Sequence, residues 1–242
     1  PLEQFEVTSL IGVNAQILGI INLCLTNFSF YILLVLITII GLHLYADNES
    51  NLILNKWSTS LESSFASLNA MVREQIGSLN ENYLPFIYSL FFFVLIGNLI
   101  SNVPYSFAVN ASAVATLGLS ITIFMGVTIL SLSIHGIKFF SYFIPNGTPL
   151  ALIPLIVLIE IVSYFARAIS LGVRLFANIF AGHSLLKILS TFIYKLFSTS
   201  LFVAFLTLIP FAIFLGIIGL ELMVSLIQAF VLTLLVCSYI KD

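Results

Sequence analysis

The sequence predicts an all-α polytopic membrane protein. About five helices are embedded in the membrane, one amphipathic helix lies in its plane, and the last two embedded helices form a long tilted hairpin. Three observations carry this. Of 242 residues, 60% are hydrophobic and only 7% charged, whereas soluble domains average about 25% charged residues; the mean hydropathy is +1.18. Uncharged apolar runs long enough for a crossing recur along the chain. A single charged stretch keeps its apolar residues at helical spacing. Residues 1–242 are expected to form one membrane domain. The net charge of −2 leaves no basic footprint for nucleic acid.

In order, residues 1–27 form a mixed N-terminal segment. Leu10–Leu25 is apolar but interrupted by Gly12, Asn14, Gln16, Gly19 and Asn22, too broken for a span and expected at the interface. The chain opens on Pro1 rather than Met, which reads as loss of an N-terminal piece, and no signal peptide is recognisable. Residues 28–46 carry no charge through Tyr45 and make the first span.

Residues 51–82 change character. From Asp47 to Tyr83 the charged residues are Asp47, Glu49, Lys56, Glu62, Arg73, Glu74 and Glu81, five acids against two bases. Leu54, Trp57, Leu61, Phe65, Leu68, Val72, Ile76 and Leu79 recur at steps of three and four. This apolar stripe predicts an amphipathic helix at the membrane surface. The competing reading is a soluble helix packed on another subunit.

Residues 85–145 hold the third and fourth helices. Pro85–Ile100 ends near Asn102 and Pro104, a turn follows, and Ala113–Ile134 is the next span. Asn146-Gly-Thr-Pro149 is a strong turn signal. Residues 150–240 are different. Leu150–Tyr194 and Leu201–Ile240 are apolar stretches that, as helices, reach roughly 60–68 Å, about twice the ~30 Å hydrocarbon core. No turn chemistry divides them, so they read as two oblique helices joined near Ser198-Thr-Ser200. Cys24 and Cys237 fit no metal or disulfide spacing and read as buried free thiols. No internal repeat is visible, which counts against an inverted-repeat transporter.

The chemistry concentrates on Ser163–His183. An arginine stays cationic in a protein, and holding one at membrane depth costs roughly 2.5–3.5 kcal/mol on insertion scales. Such a residue faces a partner or a wet cavity and is a functional candidate by default. Glu160, Arg167 and Arg174 follow at seven-residue steps, drifting about 20° per step, and Asn178 falls on the same line. The competing reading is a structural ion-pair network between helices. His183 looks about half a turn away from Arg174. On the last helix Glu221, Ser225 and Gln228 share one face. A mid-membrane carboxyl and an imidazole that titrates near neutrality can pass protons in one aqueous pocket. Their structural alternatives are a salt bridge from Glu221 to Arg167 or Lys187, and an interhelical hydrogen bond for His183. Glu160 and Asp242 meet at one end of an antiparallel hairpin while His183 lies toward the other, with Arg174 between. A two-compartment proton path needs that layout. His43 and His135 sit at span ends and read as interfacial.

Phe165-Ala-Arg-Ala-Ile-Ser-Leu-Gly-Val-Arg-Leu-Phe-Ala-Asn-Ile-Phe-Ala-Gly-His183 resembles the signature of the subunit a family of F-type ATP synthases, in its mitochondrial form. Asn98-Leu-Ile-Ser-Asn-Val-Pro-Tyr-Ser-Phe107, Pro145-Asn-Gly-Thr-Pro149 and Leu220-Glu-Leu-Met with Ile227-Gln-Ala-Phe-Val231 agree, and both chain ends resemble fungal members. The resemblance implies a non-catalytic stator subunit of the mitochondrial inner membrane, without a cofactor. Its partners would be a rotor ring of proteolipid c subunits, the peripheral-stalk subunit b, small membrane subunits, the lipid bilayer and protons. Protons would load a ring carboxylate through a half-channel near His183 and Glu221. They would leave to the matrix through a second half-channel lined by Glu160 and Asp242. Arg174 would hold the ring carboxylate ionised and block leakage, with Asn178 and Gln228 shaping the gap. The Lys and Arg distribution places the C-terminus in the matrix. No nucleotide-binding motif is present, so ATP chemistry would lie on other subunits. A secondary transporter and a haem or quinone subunit are the alternatives; the first needs a substrate site within the chain, the second paired histidines.

Overall fold

The computed structural model describes residues 5–17, 21–46, 56–77, 82–103, 106–136, 153–198 and 207–241. Six α-helices dominate them: α1 Asn27–Ala46, α2 Lys56–Gln75, α3 Leu84–Ser101, α4 Ala113–His135, α5 Ile153–Phe197 and α6 Leu208–Lys241. All but α2 are long and apolar enough to cross a membrane. The hydrocarbon core offers backbone groups no water, and a helix satisfies them within itself. Gly136 at φ +55° ends α4, and Gly77 at φ +98° follows α2, the left-handed positions glycine takes beyond helix C-termini.

The N-terminal segment departs from expectation. Ser9–Ile17 (β1) and Ile21–Thr26 (β2) pair as an irregular antiparallel hairpin. Apolar residues alternate at Ile11, Val13, Ala15 and Ile17, and again at Ile21, Leu23 and Leu25. That is the period of a strand, not of a helix, and the interrupting Gly, Asn and Gln occupy the alternate places. Cys24 lies on β2 and is exposed, whereas Cys237 is buried. Cys24, expected as a buried thiol from its apolar neighbours, is instead exposed on this hairpin.

The helices pack mainly antiparallel. Leu171 and Leu175 of α5 meet Leu232 and Val236 of α6, joined by Leu90 and Val94 of α3 and Ile123 and Val127 of α4. At the other side of α5, Phe124 of α4 lies 4.6 Å from the Tyr164 ring. Gly172 permits this approach: a Cβ there would stand 3.0 Å from the Thr116 carbonyl and 3.1 Å from Leu117 Cα. Small residues at such crossings let backbones close in. The α5–α6 connection, including the Ser198-Thr-Ser200 turn beyond Ser198, falls outside the described residues, as do Asn146–Pro149.

The amphipathic helix is described over Lys56–Gln75; residues 51–55 and 78–81 of the expected 51–82 lie outside the described residues. Of its stripe, Leu68 and Val72 are buried, with Met71, against Ile87 and Cys237. Trp57 and Phe65 remain exposed, and Leu54 and Leu79 lie outside the described residues. The C-terminal half of the helix packs beside the start of α3 and the end of α6, while near its start the buried Ser58 hydroxyl donates to the Ala46 carbonyl at the end of α1 at 2.8 Å. His43 is satisfied by the Ile39 carbonyl at 2.8 Å and the Tyr88 hydroxyl at 3.0 Å.

Candidate functional site

The site lies on the α5–α6 crossing. Along it Arg167 shares a narrow cleft with Tyr239, Arg174 another with Gln228, and His183 meets Glu221. Two helices of opposite direction therefore bring two sequence-distant polar lines into one layer.

Arg174 is exposed on α5. Among the described residues it makes no ion pair and no hydrogen bond. Arg167 differs: its Nη2 stands 3.7 Å from Glu160 Oε1, both side chains about 40% exposed (42% and 40%). This is an ion pair of the kind the competing structural reading anticipated, within one helix rather than between helices, and it engages Glu160 with its own helix. Asp242 lies outside the described residues.

His183 Nε2 stands 3.8 Å from Glu221 Oε1, with side chains only 19% and 8% exposed. That is beyond hydrogen-bond range, and both atoms are buried without a partner among the described residues. Glu221 thus faces neither Arg167 nor Lys187. A small side-chain rotation closes the gap, and a proton can then pass between carboxyl and imidazole. Gly182 makes room: a Cβ there would stand 2.7 Å from Glu221 Oε1 and 2.9 Å from its Cδ. Glu221 borders a cavity of about 340 Å³ that Asn178, Ser225 and Gln228 also line. Phe5 packs over the other side, its ring edge-on to His183 at 6.3 Å.

Sequence reasoning missed the α3 side of this site. Asn98, Ser101 and Asn110 are buried there, and Asn98 bonds Ser225 and Asn110. The signal was available: three asparagines, Asn98, Asn102 and Asn110, within an apolar stretch, where each unsatisfied amide is costly. The burial of Asn110 also fits its Asn-Ala-Ser sequence being a chance match to a glycosylation site. Among the described residues no cluster of His, Cys, Asp and Glu is arranged to hold a metal ion.

The family model described as "ATP synthase A chain" matches residues 28–241. "ATP synthase subunit a" of Mycosarcoma maydis is 58% identical over the whole of this chain and 95% of its own length. The proteins of the same name from Emericella nidulans and Yarrowia lipolytica are 47% and 46% identical, again over the whole chain, covering 94% and 95% of theirs.

Proposed function

Because the chain belongs to the ATP synthase A chain family, we propose that it is the proton-conducting stator subunit of the synthase membrane sector, acting on a rotor carboxylate through Arg174. Membership in that sector, and a place as a multi-pass protein of the mitochondrial inner membrane, follow from the fungal relatives and the five apolar helices. The finer roles are our reading.

The observation that carries it is Arg174: a permanent cation on a membrane helix, exposed, with no acid of its own chain against it among the described residues. A cation at that depth needs an anion or water, and an acid on a partner helix supplies one. In this reading the partner is a ring of proteolipid c subunits. The guanidinium keeps the arriving carboxylate ionised and separates two aqueous routes.

The flanking groups support two routes. His183 and Glu221, with the cavity between Asn178 and Gln228, stand about 13 Å along α5 from Arg174. They form the inlet from the intermembrane space. Glu160 lies about 20 Å the other way and, with Asp242, lines the outlet to the matrix. The chain itself makes no ATP; the membrane potential, about 2.3 kcal/mol per charge per 100 mV, drives rotation through it. Subunit b and small membrane subunits would cover other apolar faces. Arg174→Ala is expected to abolish proton-driven ATP synthesis while the complex still assembles. Normal coupled synthesis in that variant would refute the role.

A further inference from the structure

We propose that Asn98 is a positioning residue for the His183–Glu221 pair, locking α6 to α3 in the register that brings the carboxyl to the imidazole. The proposal rests on the reading of that pair as a proton inlet.

Asn98 is 0% exposed near the end of α3. Its Nδ2 donates to the backbone carbonyl of Ser225 on α6 at 3.2 Å. Its Oδ1 accepts from Asn110 Nδ2 at 2.6 Å, and its backbone carbonyl accepts from Ser101 Oγ at 2.6 Å. One amide therefore ties together α3, α6 and the short 3₁₀ turn Val109–Ala111. Ser225 stands one turn beyond Glu221 and just under one turn before Gln228. The carbonyl that Asn98 grips thus lies between the two polar side chains of the cavity.

The same turn of α3 reaches the other member of the pair, because the Ser101 backbone faces His183. At the next residue, Asn102 Nδ2 donates to Ser225 Oγ at 3.4 Å. The end of α3 therefore touches both α5 at His183 and α6 at Ser225. Apolar packing between α3 and α6 through Val94, Ala229 and Val236 resists separation but not sliding. A directed hydrogen bond resists sliding, since moving one residue along a helix shifts the carbonyl by about 1.5 Å. A gap that stands at 3.8 Å has no such slack.

The charged neighbours of the pair are few. Lys187 lies one turn past His183 on α5, and Glu6 adjoins Phe5. From the end of α3 the group facing the pair is the neutral Ser101 backbone. A change in its pH response after altering Asn98 therefore reports geometry rather than a lost charge.

The test is Asn98→Leu in the assembled complex in its membrane. ATP synthesis per assembled complex is measured against pH on the inlet side. We expect assembly to persist, synthesis to fall about tenfold, equivalent to about 1.4 kcal/mol, and the pH optimum to move. Wild-type rate and profile would overturn the proposal, as would a uniform loss with an unmoved optimum. If Asn98→Leu fails to assemble, Asn110→Ala decides. It removes the donor to Asn98 Oδ1 from outside the α3–α6 contact, and an unmoved optimum there overturns the proposal too. Glu221→Gln runs alongside: full synthesis in that variant refutes the inlet reading itself, whereas its loss with an unaffected Asn98→Leu refutes only the role of Asn98.

Discussion

Two arginines seven residues apart on α5 meet different fates. Arg167 has Glu160 at 3.7 Å; Arg174 has no acid among the described residues. Their spacing made both look alike in the sequence, since helical geometry places them on one line. What separates them is where the acids fall, and only one acid is within reach along that line. Gly182 makes a second residue-scale point. Its missing side chain is filled by the Glu221 carboxyl, the movable end of a flexible side chain. Gly182→Ala is therefore expected to push that carboxyl away from His183 and lower proton-driven synthesis severalfold, with normal amounts of complex. Equal synthesis per complex would show that the close approach is incidental. His183 and Glu221 were legible in the sequence as titratable groups sharing one pocket; their approach to 3.8 Å, and the exclusion of Arg167 and Lys187 as the partner of Glu221, needed the packed helices.

At the scale of elements, long apolar runs located α1, α3, α4, α5 and α6, and apolar spacing located α2. The hairpin of β1 and β2 was missed, because its average apolarity hid a period of two. The crossing of α4 and α5 depends on a small residue. Gly172→Leu would drive a side chain into the Thr116 carbonyl and the Leu117 backbone, which cannot swing aside as a side-chain tip can. Overpacking of this kind costs roughly 1–3 kcal/mol. The expected outcome is less assembled complex and lower thermal stability of what remains, measured by yield and melting of the purified assembly. An unchanged melting temperature would show that α4 yields more easily than this packing indicates.

For the whole molecule, the broad exposed face of α5, with Leu158, Val162, Phe165, Ile169 and Val173, belongs against lipid or other apolar helices. The chain reconstituted alone in vesicles is expected to conduct protons no faster than empty vesicles, because in the proposed mechanism the step between the two routes needs an acid from another polypeptide. Conduction should appear with the ring present. Rapid, selective flux through the chain alone would point instead to a self-contained channel.

Length, hydropathy and charge position are properties of one segment at a time, so the sequence by itself determined the number of spans, the surface helix, the family and the polar line on α5. The His183–Glu221 contact, the isolation of Arg174 from its own acids and the grip of Asn98 on Ser225 join residues many positions apart. Only the tertiary structure decided these, because hydrocarbon constrains each helix to form but leaves rotation and register to side-chain packing and interhelical hydrogen bonds.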